Sequence, residues 1–161
     1  MRKIEIKKVT QDDADFLYML MNDKTILNRL NEAPTSKEDW IKAVLSWEND
    51  ADEDGYIVWM DDKQIGWFAF NGLQSTNKIA YLKMAVILPK YQNKGIGTYV
   101  LSKLLEMMRR NRYYSVRLFT NQDNWNAQKC YQKCGFKITE SLAEKMSDNT
   151  VVARYKMECK L

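Results

Sequence analysis

The spacing of apolar positions changes several times along this chain. Ile4, Ile6 and Val9, set among charged residues, predict an opening strand. After Asp12 and Asp13 the spacing lengthens, and Phe16, Leu17, Leu20 and Met21 fall on one face of a helix. Ser36 with Asp39 three residues on is a capping signature, and Trp40, Ile41, Val44, Leu45 and Trp47 supply the apolar face of a second helix, closed by the acidic run 50–54. Residues 56–60 and 64–70, rich in β-branched and aromatic side chains, flank the polar turn Asp61, Asp62, Lys63 and predict a hairpin. Residues 79–88 read as a central strand, interrupted by Lys83 and stopped by Pro89. Helical spacing returns after Gly97 with Val100, Leu101, Leu104, Leu105 and Met108, followed by a strand at 116–119, a helix at 124–134, and closing strands at 137–140 and 151–157. This order predicts an α/β (α+β) sandwich of three layers, with a mixed central sheet of about six to seven strands and helices on both faces. No repeat, low-complexity tract or linker divides the chain, so one domain over residues 1–161 is expected.

Composition narrows the chemistry. The chain has 161 residues, 45% of them hydrophobic, enough for one buried core. It has no histidine, which excludes Ser-His-Asp and Cys-His catalysis and His-ligated zinc, and no metal site is expected. Cys130, Cys134 and Cys159 are an odd number and imply no disulfide framework, as in a reducing compartment. The charged opening residues and the lack of a long uncharged stretch lead us to expect a cytoplasmic protein with no membrane partner. The net charge of +4 conceals an asymmetry: residues 11–54 hold twelve acidic and four basic side chains (−8), and residues 78–137 hold twelve basic and two acidic (+10). Such halves suit a site where an anionic cofactor meets a cationic substrate, or are simply two solvated faces.

The sharpest motif is Gln92-Asn93-Lys94-Gly95-Ile96-Gly97-Thr98, between the strand that ends at Pro89 and the next helix. A helix N-terminus carries unpaired N–H groups and partial positive charge, so this loop is a seat for phosphate or pyrophosphate. Val100 stands where a Rossmann loop needs its third glycine, and the Walker spacing is absent. From Pro89 the pattern P-x-Y-Q-x-K-G-I-G-x-x-x-L resembles the acetyl-CoA loop of the GNAT superfamily of N-acetyltransferases. Asn124, Ala127, Tyr131, Gly135 and Phe136 are similar to a second segment of that family, N-x-x-A-x-x-x-Y-x-x-x-G-F. Together the motifs cover about residues 79–136; the first 78 residues match only by topology.

The resemblance implies acetyl transfer from acetyl-CoA to a primary amine by direct attack in a ternary complex. It implies that backbone from Gln92 to Thr98 holds the pyrophosphate, with Lys94 as an electrostatic helper, and that backbone at Val86, Ile87 and Leu88 pairs with the pantetheine arm. An N–H near Val86 then faces the thioester oxygen, Asn124 touches the cofactor arm, and Tyr131 is the general acid that protonates the departing thiolate. Read without the resemblance, Tyr131 belongs to an apolar helical stripe with Ala127, Cys130 and Cys134, and Asn124 caps a helix. An alkylamine must also lose a proton before attack, yet residues 79–88 and 115–120 carry no carboxylate, which points to a base acting through ordered water. Glu48, Asp52, Glu53 and Asp54 are not separable from a solvated loop by spacing. The acceptor is expected to be an amine-bearing small molecule or peptide, cationic in keeping with the acidic segment, and no nucleic acid is expected. Monomer and homodimer both remain open, the final strand and the Trp-rich hairpin being the candidate pairing edges. A non-catalytic acyl-CoA-binding sensor is the alternative; it would keep the glycine loop without needing Tyr131.

Overall fold

The computed structural model describes residues 2–161. Seven strands form one mixed sheet in the order β1-β2-β3-β4-β5-β7-β6: β1 (Ile4–Lys8), β2 (Asp54–Met60), β3 (Lys63–Asn71), β4 (Ile79–Ile87), β5 (Ser115–Asn121), β6 (Lys137–Lys145) and β7 (Val151–Lys160). Only β4 and β5 run parallel; every other neighbouring pair is antiparallel. On one face lie α1 (Ala14–Leu20), α2 (Lys24–Leu30) and α3 (Lys37–Glu48), whose Leu17, Leu20, Ile26, Trp40 and Val44 pack on Ile57, Trp67 and Val86. On the other face α4 (Ile96–Arg110) buries Val100, Leu101, Leu104, Leu105 and Met108 against Phe68, Phe70, Val116 and Leu118, and α5 (Trp125–Lys133) adds Cys130 and Tyr131 at the margin. Alternation along β3 explains how one strand serves both layers: Trp67 and Ala69 face α1 to α3, while Phe68 and Phe70 face α4. The expected three-layer mixed sheet is therefore present.

Several elements differ in detail. The helix α2 was not expected; Asp23 caps it by accepting from Ile26 N–H (3.0 Å), and only Ile26 is fully buried. Val9 and Leu88 lie just outside their strands, and α4 starts at Ile96, so Gly97 sits in its first turn. β6 runs five residues beyond its expected end at Glu140. The expected pairing edges are also corrected. The final strand β7 is flanked by β5 and β6, and the β2–β3 hairpin by β1 and β4, so the free edges are β1 and β6. Among the described residues no helix is long and apolar enough to cross a membrane.

Candidate active site

β4 and β5 pair over only three rungs, Ile79 with Ser115, Ala80 with Val116 and Tyr81 with Arg117, and then diverge. The ladder shared with β3 decides what β4 offers to the resulting gap. Leu88 N–H donates to Ile65 C=O at 2.8 Å, and antiparallel alternation then points the backbone groups of Val86 at Trp67. Those of Ala85 and Ile87 turn to the gap, where no strand pairs with them. This corrects the placement of backbone donors at Val86 and Leu88, whose N–H groups serve β3; of the three residues named from the sequence, Ile87 alone presents backbone to the gap. The gap-facing carbonyls of β5 are occupied: Phe119 C=O accepts from Arg154 Nη2 (3.1 Å), and Asn121 C=O from Gln128 Nε2 (3.1 Å) and Asn124 N–H (3.0 Å).

A cavity of about 380 Å³ opens at the divergence, bounded by β4, the glycine loop, α5 and α2. Asn93 and Gly95 both have positive φ, 60° and 79°, and these two left-handed residues turn the loop into α4. Tyr99 N–H is the first to bond back, to Gly95 C=O at 3.0 Å, which leaves the amides of Ile96, Gly97 and Thr98 at the helix mouth. Gln92 fixes the loop from both sides, donating to Ile87 C=O (2.7 Å) and accepting from Arg29 Nη1 (3.1 Å). Gln92, Asn93, Gly95, Gly97 and Thr98 line the cavity, as do Val86, Ile87, Asn124 and Tyr131. Leu88, Lys94 and Ile96 do not. Lys94 is exposed, Leu88 packs toward α1 to α3, and Ile96 is buried in the core beneath α4.

The sequence reading missed three cationic wall residues: Arg29 from α2, and Lys129 and Lys133, four apart on one face of α5. That i, i+4 lysine pair inside the second motif, between Asn124 and Phe136, was a legible signal; Arg29 was not, because α2 carries too little periodicity to read. Among the described residues no carboxylate lines this cavity. The four acids near the hairpin have other partners: Asp52 accepts from Gly72 N–H (3.1 Å) and Gln74 N–H (2.9 Å), Glu53 pairs with Lys83, Asp54 with Lys8 (2.9 Å), and Glu48 with Gln11 (3.3 Å). Glu48, Glu53 and Asp54 line a separate acidic cavity beside Trp47 at the end of α3.

Tyr131 lies half-buried on α5, its ring 5.9 Å from that of Phe136. Burial pushes its phenol well above the usual tyrosine range; the neighbouring Cys130 acts in the same direction and Arg154 opposes. The phenol therefore keeps its proton at neutral pH. Asn124 Oδ1 accepts from Ala127 N–H (3.4 Å), capping α5 at the cavity wall.

The family model described as "Acetyltransferase (GNAT) family" matches residues 16–136. The chain belongs to this family. An uncharacterized N-acetyltransferase of Methanocaldococcus jannaschii is 26% identical over a 141-residue alignment that covers 84% of this chain, and the chain spans 61% of that relative's length. Among solved structures, a spermidine N-acetyltransferase from Vibrio cholerae in complex with CoA and spermine superposes with TM-score 0.87 at 18% identity, covering 98% of this chain and 95% of that one. An aminoglycoside acetyltransferase in complex with coenzyme A superposes with TM-score 0.79 at 17% identity, covering 98% and 95%. At these identities the two structures are likenesses of fold.

Proposed function

We propose that this chain transfers an acetyl group from acetyl-CoA to a primary amine, by direct attack while donor and acceptor are bound together. The observation that carries this reading is the gap between β4 and β5 opening onto the free amides of the glycine loop, in a chain of the acetyltransferase family. The three amides at the mouth of α4 suit a pyrophosphate, and Lys129 and Lys133 add positive charge on the facing wall. The free N–H groups of Ala85 and Ile87 suit an extended arm laid along β4, one of them stabilising the charge that develops on the thioester oxygen. Tyr131, protonated and on the cavity wall, donates its proton to the thiolate as the carbon–sulfur bond breaks. Lys94, exposed and off the cavity, acts through its charge alone.

The acceptor in this reading is a cationic amine of a small molecule or peptide. It is supported by the −8 charge of residues 11–54 and by the acids gathered at the end of α3, and both structural neighbours are described with polyamine or aminoglycoside chemistry. The test is release of free thiol from acetyl-CoA with a panel of polyamines, aminoglycosides, amino acids and N-terminal peptides. Turnover confined to neutral or anionic amines sinks the cationic acceptor; cofactor binding without turnover on any amine sinks the enzyme. Tyr131→Phe is expected to lower kcat by about 100-fold or more, as loss of a general acid does, with little change in KM for acetyl-CoA.

A further inference from the structure

All three cysteines of the chain gather around α5, and the acetyl-transfer reading uses none of them. Cys134 Sγ lies 3.6 Å from Thr98 C=O, and buried Cys159 Sγ lies 3.6 Å from Cys134 C=O. Cys130 differs from both because it lines the cofactor cavity. Thr98 Oγ1, in the first turn of α4, donates to Cys130 Sγ at 3.5 Å, and a Cβ placed on Gly97 would lie 3.6 Å from the same sulfur. The thiol therefore sits against Gly97 and Thr98 of the loop, with Lys129 and Lys133 lining the same cavity.

We propose that Cys130 is a site of reversible thiol modification by small anionic disulfides, and that the modified thiol and the bound cofactor exclude one another. This rests on the reading that the cavity seats acetyl-CoA. The step is a thiol–disulfide exchange: Cys130 thiolate attacks one sulfur of R–S–S–R, a Cys130–S–S–R bond forms, the original S–S bond breaks, and R–S⁻ leaves to take up the proton that Cys130 lost. The disulfide is the oxidant, and a reduced thiol reverses the step. The group R then lies over Gly97 and Thr98, where the pyrophosphate would sit. An anionic R is favoured by Lys129, Lys133 and the mouth of α4. The neighbouring Cys134 thiol, and then Thr98 and Lys133, draw the Cys130 thiol below its usual range against the opposing effect of burial, while Cys134 is pushed up by the same pairing. The attacking thiolate is thus favoured on Cys130 over Cys134.

The experiment combines intact-mass and peptide-mass measurement after exposure to glutathione disulfide, which is anionic, or to cystamine, which is cationic, with calorimetric titration of CoA run separately. The expected adduct is on Cys130, forms faster with glutathione disulfide than with cystamine, disappears in Cys130→Ala and persists in Cys159→Ala. With CoA at about 100 times its measured Kd, adduct formation slows about 100-fold if the two are exclusive. Labelling unaffected by CoA, in protein that calorimetry shows to bind it, overturns the exclusion while leaving the cofactor reading intact. A preference for Cys134 or Cys159, or for cystamine, overturns the assignment of the site. Absence of any CoA binding removes the cofactor reading itself, and the exclusion with it.

Discussion

Gly66 on β3 shows how a single hydrogen in place of a side chain can set the gap. A Cβ built there would lie 2.6 Å from both Val86 O and Ile87 Cδ1, the stretch of β4 that borders the cavity, and backbone cannot yield as a flexible side chain can. Gly66→Ala must therefore push β4 away from β3 or strain it, at a cost of about 1–3 kcal/mol, as overpacking usually has. Urea unfolding should read that loss, and KM for acetyl-CoA should rise because Ala85 and Ile87 move with the strand. An unchanged KM in a destabilised protein would show that β4 backbone does not contact the donor. The glycine loop was legible from the sequence because its chemistry is local and sequential. The role of Gly66 was not, because the atoms that forbid a side chain there come from a strand some twenty residues away.

At the scale of the element, α2 is the part the sequence hid. Seven residues with one fully buried side chain carry too little periodicity to read, and such a segment is not stable alone. Its position is set from outside. Asn121, at the end of β5, donates through Nδ2 to Arg29 C=O (3.1 Å) and Asn31 Oδ1 (2.8 Å), and Asn31 closes the helix in a left-handed conformation at φ 53°. The turn after β6 adds Asp148 N–H to Asn31 C=O at 3.3 Å. Asn121→Ala removes two part-buried bonds at once and should cost about 1–3 kcal/mol of local stability. Hydrogen exchange should quicken at residues 24–30 far more than in the strands of the core. Because Arg29 also holds Gln92, loosening α2 should raise KM for the donor; uniform exchange across the sheet would instead mean that α2 and the core open together. β6 was expected too short for a different reason: eight of its nine residues are exposed, so no apolar alternation marks its length.

At the scale of the molecule, strand existence followed from local pattern, whereas strand order and the three-rung contact of β4 with β5 depend on pairings far apart in sequence. The pairing of β5 with β7 is one of these, and it carries a titratable tie. Ser115 Oγ donates to Glu158 Oε2 at 2.7 Å and Arg117 Nε to the same oxygen at 2.9 Å, with Arg117 and Glu158 direct cross-strand partners. The Ser115 bond and then the Arg117 guanidinium hold the Glu158 carboxyl below the usual range. A carboxyl depressed in the folded state binds fewer protons there than in the unfolded chain, so its contribution is present above the ordinary carboxylate range and is lost as pH falls through the depressed value. Glu158→Gln keeps the shape and an oxygen for Ser115 but removes the charge. Near neutral pH it should be less stable than the parent by roughly 1 kcal/mol, the scale of a partly exposed ion pair. On acidification the two proteins should converge, since the parent carboxyl then becomes neutral as well. Denaturant midpoints measured from neutral to strongly acidic pH read this directly. A difference that stays constant with pH would mean that the hydrogen bonds, and not the charge, join these strands behind the gap.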